Sequence, residues 1–114
     1  MKIEKFEDII AWQKSKDLTL EIYCVLKTCR DFSFRDQIQR ASISIMNNIA
    51  EGFERRTNKD LKHFLFISKG SCGEVRSMLY LALRLNYINQ NNFTKLYSLT
   101  IEISKMLSGL IKTL

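Results

Sequence analysis

Few side chains in this 114-residue sequence have the types and spacing that catalysis or metal binding requires. The cysteines are Cys24, Cys29 and Cys72, and no two of them have the spacing of a zinc knuckle or a redox motif. His63 is the one histidine in the sequence, and neither a carboxylate pair with a nearby base nor a glycine-rich phosphate loop accompanies it. We therefore expect no catalytic residue, no metal, no cofactor and no small-molecule substrate, and we expect the cysteines to be reduced and mostly packed.

Basic side chains suggest a different chemistry, which is contact with the phosphates of a nucleic acid. Lys62, Lys69 and Arg76 recur every seven residues and so lie on one face of a predicted helix. The aromatic residues on the same outward side are Phe66, Tyr80 and Tyr87. Cations neutralise phosphates and rings stack on bases, so this combination is typical of a surface that binds RNA or DNA. The full set of candidate nucleic-acid-binding residues is Arg55, Arg56, Lys59, Lys62, Lys69, Arg76 and Arg84.

The distribution of charge agrees with such a surface without requiring it. Residues 1–57 contain ten basic and nine acidic residues (+1), and residues 58–114 contain eight and three (+5), which together give the net charge of +6. Basic excess in one half of a chain favours an anionic partner. Two alternatives stay open, because lysines on an outer helix face are often simply solvated and exposed aromatics often pack against another subunit.

The elements that position these residues are predicted to be four long helices. The sequence has no proline and four glycines, and its apolar residues recur at three- and four-residue steps. Capping boxes begin at Ser33 and Thr57, and Asn89 is a further N-cap candidate. The spacing predicts helices over about 8–30, 34–56, 58–86 and 90–113. Short connections make neighbouring helices antiparallel, so we expect a single domain over 1–114 with an all-α, up-down-up-down four-helix bundle.

The second and fourth helices have a wider apolar arc than one bundle needs, which favours a homo-oligomer. On the second helix, Ile43, Met46 and Ala50 extend this arc. Glycine inside a helix costs up to about 1 kcal/mol relative to alanine. Gly70 and Gly73, with small residues beside them, therefore predict a tight helix crossing in the middle of the bundle.

A polar line runs along the opposite face of the second helix. Its members are Gln37, Arg40, Ser44, Asn47, Asn48, Glu51 and Arg55. The simpler interpretation is a solvated face. The alternative is that Asn48 and Glu51 reach a partner subunit or cap a neighbouring helix.

The central segment, residues 40–53 (RASISIMNNIAEGF), resembles the signature of a bacterial family of four-helix-bundle proteins. That family is named for reading frames in intervening sequences of 23S ribosomal RNA genes. The segments 10–14, 64–71 and 85–88 are similar to its first-helix opening, its third-helix motif and its last turn, so the resemblance covers nearly the whole chain. It implies that the family-motif and interface positions are Arg40, Asn48, Glu51, Gly52, Gly70 and Ser71.

The resemblance also implies assembly into rings, typically homopentamers, and a fold similar to the accessory proteins of diversity-generating reverse transcriptases, which are basic and bind nucleic acid. It implies no established molecular function. Acidic residues near the N-terminus and the lack of a long apolar stretch predict a cytoplasmic protein with no membrane partner. We therefore predict a non-enzymatic homo-oligomer that binds RNA or other nucleic acid through a basic outer face. The alternative is a protein-interaction scaffold or accessory subunit with no direct nucleic-acid contact.

Overall fold

A computed structural model describes residues 3–114, so the first two residues of the predicted domain lie outside the described part. A short 3-10 turn at Phe6–Asp8 precedes four helices, which are α1 (Ile10–Val25), α2 (Phe32–Glu54), α3 (Asn58–Arg84) and α4 (Gln90–Lys112). Within the described residues α1 packs on α2 and α4, and α3 packs on the same two helices. The prediction of an all-α, antiparallel four-helix bundle is confirmed. None of the helices in residues 3–114 is both long and apolar enough to cross a membrane.

The core is a continuous set of aliphatic side chains that all four helices contribute at helical spacing. The largest fully buried side chains are Leu18, Ile22, Leu26, Ile38, Ile45, Ile49, Leu65, Val75, Leu79, Leu96, Ile103 and Leu107. Burying one such side chain stabilises a fold by roughly 1.5–3 kcal/mol relative to leaving it exposed. This core fixes the rotation of each helix about its axis and therefore decides which residues face outward.

Side-chain caps fix the starts of α3 and α4 where the sequence predicts them. The hydroxyl of Thr57 accepts a hydrogen bond from the amide of Asp60 at 3.1 Å. The side chain of Asn89 accepts one from the amide of Asn92 at 2.8 Å. Each cap satisfies an amide of the first turn that has no partner inside the helix.

The start of α2 and the end of α1 differ from the prediction. α1 ends at Val25, well before residue 30, and the cap of α2 is Asp31 rather than Ser33. One carboxylate oxygen of Asp31 accepts from the amide of Phe34 at 3.2 Å, and the other accepts from the hydroxyl of Tyr87 at 2.6 Å. The second bond ties the α1–α2 connection to the residues that follow α3.

Exposed apolar residues lie on different helices from those predicted. Ile43, Met46 and Ala50 of α2 are half-buried, because α2 packs against α1, α3 and the 3-10 turn. The exposed large hydrophobic residues are Ile10, Leu20, Tyr23, Phe32, Phe66, Ile67, Tyr80, Leu81 and Leu85. The surplus apolar surface of the described residues therefore lies mainly on α1 and α3, and its prediction on α2 and α4 is wrong.

Candidate nucleic-acid interface

Five of the predicted basic residues lie along α3 and form what we call the basic row. Lys59, Lys62 and Arg84 are exposed, and Lys69 and Arg76 are half-buried. A seven-residue step turns only about 20° on an α-helix, so Lys62, Lys69 and Arg76 follow a nearly straight line. Lys59 and Arg84 lie about 60° and 40° to one side of Lys62. From its first to its last residue the row extends about 37 Å along the helix, close to the 42 Å length of the bundle.

Arg55 and Arg56, at the α2–α3 junction, differ in their contacts and in their backbone conformation. The guanidinium of Arg55 lies 2.8 Å from a carboxylate oxygen of Glu51 and 5.1 Å from the ring centre of Phe64. The hydrogen bond with Glu51 raises the pKa of Arg55, so this charge is already partnered. Arg56 is exposed and has a φ of 68°, a left-handed conformation that costs a non-glycine residue roughly 1–2 kcal/mol.

The basic row keeps its charges free of carboxylate partners. Within residues 3–114 no salt bridge includes any of its five members. α3 itself carries only two carboxylates, Asp60 and Glu74, and Glu74 accepts a long hydrogen bond of 3.4 Å from Gln37 of α2. With five cations and two carboxylates, α3 carries an excess of positive charge.

Tyr80 lies between Arg76 and Arg84 of the basic row and belongs to an aromatic cluster shared with α4. Its ring centre is 5.3 Å from that of Phe93 and 5.6 Å from that of Tyr97, and these two rings stack on each other at 5.5 Å. Tyr80 nevertheless stays 53% exposed. The sequence signal that Phe93 and Tyr97 belong to this site is their four-residue spacing, which puts both rings on one side of α4. Phe66 is also exposed, as predicted.

Tyr87, by contrast, does not face outward, and its predicted place on the aromatic side of α3 is wrong. Asn86, two residues after the end of α3, has a φ of 61°, and the amide of Tyr87 bonds back to the carbonyl of Ala82 at 2.8 Å. This turn directs the ring against Phe34, at 5.2 Å between ring centres. The hydroxyl donates to Asp31, and this bond raises the pKa of Tyr87 to about 12.

The polar line of α2 forms part of the contact with α3 instead of a fully solvated face. The hydroxyls of Ser44 and Ser71 lie 2.9 Å apart across the two helices. The side-chain amide of Asn48 donates to the carbonyl and the hydroxyl of Ser44 at 2.8 and 2.9 Å. Three residues before Ser71 on α3, the buried hydroxyl of Ser68 donates a hydrogen bond to the carbonyl of Ile45 on α2 at 2.8 Å.

The outer members of the polar line are exposed, namely Gln37, Arg40, Asn47, Glu51 and Arg55. Asn48 bonds within its own helix and Glu51 pairs with Arg55 one turn later. Within residues 3–114 neither of them caps a neighbouring helix. Asn48 and Ser71 thus have structural roles in the α2–α3 contact, while Arg40 stays on the surface.

The glycines show where the helices approach closely. A Cβ added to Gly52 would lie 2.7 Å from the Cβ of Phe64, so this glycine permits a close contact of α2 with α3. Among the described residues nothing lies within 4 Å of a Cβ built on Gly70, and the nearest atom to one on Gly73 is a guanidinium nitrogen of Arg76 at 3.9 Å. The two glycines therefore do not form the predicted tight crossing themselves; the close approach of α3 to α2 in this segment is made by their small neighbours Ser68 and Ser71.

The cysteines differ in exposure: Cys24 is exposed, Cys29 half-buried and Cys72 buried. The thiol of Cys72 donates to the carbonyl of Thr100 at 3.2 Å, and burial raises its pKa to about 11. The thiolate is the nucleophilic form of cysteine, so Cys72 acts as a core residue.

Comparison with known proteins agrees with this architecture. The family model of the 23S rRNA-intervening sequence proteins matches residues 7–109. The chain belongs to this family. Among solved structures, the chain is similar to a protein with unknown function from the S23 ribosomal protein family of Bacteroides thetaiotaomicron VPI-5482. The two are 25% identical with a TM-score of 0.83, and the match covers 90% of this chain and 96% of that one. A search of curated proteins finds no match.

Proposed function

We propose that this family member is a non-enzymatic, cytoplasmic homo-oligomer that binds RNA or another nucleic acid through the outer face of α3. The observation that carries the proposal is the basic row, whose five cations have no salt-bridge partner in residues 3–114. A nucleic-acid backbone is an anion that repeats along a line, so it matches a row of cations in geometry as well as in charge. Such contacts hold the backbone without reading bases.

Exposed apolar side chains support self-association. Leu20 and Tyr23 lie on α1, while Ile67 and Leu81 lie on α3. Within the described residues no Cα atom of α1 lies within 8 Å of a Cα atom of α3, so the two helices are not adjacent and these are two unlike surfaces at opposite corners of the bundle. Contact between unlike surfaces is head-to-tail, and a head-to-tail contact that closes generates a ring.

A ring would also strengthen nucleic-acid binding. The family resemblance implies a homopentamer, in which the basic row is repeated in every subunit. Rows that bind one nucleic acid together gain avidity, because each later contact is intramolecular. Weak contacts from exposed lysines and arginines then suffice for stable binding.

The test is fluorescence anisotropy of a labelled, structured RNA titrated with the protein at several salt concentrations. The site variant is Lys62→Glu/Lys69→Glu/Arg76→Glu. The matched control is Lys5→Glu/Lys16→Glu/Lys27→Glu, which changes the net charge by the same amount at exposed positions on or beside α1. Light scattering establishes first that all three proteins share one oligomeric state.

We expect wild-type binding that weakens steeply with salt, little change in the control and loss of binding in the site variant. Equal losses in the two variants would mean that net charge alone drives binding and would contradict a site on α3. No binding by the wild-type protein at low salt would refute the proposed function.

The second candidate function is a protein-interaction scaffold, and the exposed apolar residues of α3 favour it. Ile67, Leu81 and Leu85 are between 39% and 49% exposed, and a partner protein could dock on them without any contact to nucleic acid. Apolar docking depends little on salt, whereas phosphate binding weakens with it. The same salt series therefore separates the two functions.

A further inference from the structure

Tyr80 is flanked by arginines at one-turn spacing on either side. Arg76 precedes it by four residues and Arg84 follows it by four. Residues four apart are neighbours on one helix face, so the three side chains form an Arg–Tyr–Arg line. Each arginine lies about 6 Å along the axis from the tyrosine. Within residues 3–114 neither arginine is in a salt bridge.

The ring of Tyr80 is held in place from the side of α4. Phe93 and Tyr97 contact it with ring centres 5.3 and 5.6 Å away, at interplanar angles of 58° and 76°. These contacts are tilted or edge-on, so they support the ring without stacking flat on it, and about half of its surface stays open. Phe66, the other exposed aromatic of α3 near the basic row, contacts no aromatic ring among the described residues.

A supported, half-open ring between two free cations fits an unpaired base with its two adjoining phosphates. Stacking on an aromatic side chain requires a base whose flat face is accessible, and bases inside a duplex are already stacked on each other. We propose that the Arg76–Tyr80–Arg84 line binds single-stranded nucleic acid, with a base stacked on Tyr80 and the phosphates on the arginines. This inference rests on the proposed function and narrows its ligand to unpaired strands or unpaired segments of structured RNA.

The test compares an unstructured oligouridylate with a blunt-ended RNA duplex of the same strand length, by anisotropy at one low salt concentration. Tyr80→Leu removes the ring but keeps an apolar side chain against Phe93. Tyr80→Phe keeps the ring. Tyr23→Leu is the matched control, since Tyr23 is an exposed tyrosine on α1, and within the described residues no Cα atom of α1 lies within 8 Å of one of α3.

We expect Tyr80→Leu to weaken oligouridylate binding roughly five- to hundredfold. Duplex binding should change less than about twofold, because phosphate contacts remain. Tyr80→Phe and Tyr23→Leu should bind both RNAs as the wild-type protein does.

Three results would overturn the inference while leaving the proposed function intact: unchanged oligouridylate binding in Tyr80→Leu, an equal loss for both RNAs, or wild-type binding of duplex alone. A change of oligomeric state in Tyr80→Leu by light scattering would also overturn it, because Tyr80 would then be a subunit contact. Failure of the proposed function looks different, since the wild-type protein would then bind neither RNA.

Discussion

Gly52 and Gly70 both lie inside long helices, yet the structure assigns opposite effects to the same substitution at the two positions. At Gly52 a new Cβ would lie 2.7 Å from the Cβ of Phe64 and 3.4 Å from the Cα of Leu61. Neither atom is the flexible end of a side chain, so α2 and α3 would have to separate by several tenths of an ångström. Overpacking costs about 1–3 kcal/mol, and a clash between two Cβ atoms, which no rotamer change relieves, belongs in the upper part of this range, at about 2–3 kcal/mol. The better helix propensity of alanine returns up to about 1 kcal/mol.

We therefore expect Gly52→Ala to lower the free energy of unfolding by about 1–2 kcal/mol. For a chain of this length that corresponds to a fall in Tm of roughly 4–8 °C. The Cβ added by Gly70→Ala meets no atom within 4 Å among the described residues. Only the better helix propensity of alanine then matters, and the free energy of unfolding should rise by up to about 1 kcal/mol.

The assay is thermal and urea unfolding followed by circular dichroism, with all proteins at one concentration because oligomers gain stability with concentration. A neutral or stabilising Gly52→Ala would refute the argument that this glycine permits the α2–α3 contact. A destabilising Gly70→Ala would show that the open space beside Gly70 is filled in solution, for instance by another subunit.

Three further predictions follow from the hydrogen bonds of Asp31, the backbone angle of Arg56 and the exposure of the cysteines. The pKa of Asp31 is lowered, mainly by the hydrogen bond from Tyr87 and then by the bond from the amide of Phe34. The carboxylate of Asp31 therefore stabilises the fold above about pH 4, and this stabilisation is lost as the pH falls through the lowered pKa. Asp31→Asn should accordingly lower Tm at pH 6 but much less at pH 2, and an equal loss at both pH values in thermal melts would contradict this. Arg56→Gly should raise the free energy of unfolding by about 1 kcal/mol by relieving the left-handed backbone, and a urea titration in which it fell would show that the φ of 68° is not strained. With a thiol reagent at pH 8, Cys24 should react at once and Cys72 only after unfolding, and prompt reaction of Cys72 by mass spectrometry would contradict its burial.

The number of helices and their inner faces could be predicted from the sequence because both depend on local spacing. Thr57 and Asn89 are caps for the same reason, since a capping side chain bonds to an amide three residues away. The start of α2 could not be chosen in this way. Ser33 and Asp31 are both adequate caps locally, and Asp31 is selected by Tyr87, which lies 56 residues along the chain.

The positions of the basic residues on α3 could be predicted from the sequence, whereas their contacts with other helices could not. Seven-residue spacing is enough to place Lys62, Lys69 and Arg76 on one side of α3. It does not reveal that Arg55 is already paired with Glu51, or that Phe93 and Tyr97 support Tyr80 from another helix. Whether a helical glycine marks a tight crossing likewise depends on what the neighbouring helix places beside it. Gly52 has Phe64 close by, and Gly70 has no such neighbour among the described residues.

The central claim is that phosphates bind along the basic row, and the salt dependence of wild-type binding tests it most directly. Each neutralised phosphate contributes about −0.7 to the slope of log K against log salt for single strands. If the five cations of one row are engaged, we expect a slope of roughly −3 to −4 per subunit bound. A slope near zero, or no binding to RNA at the lowest salt concentration, would contradict the account.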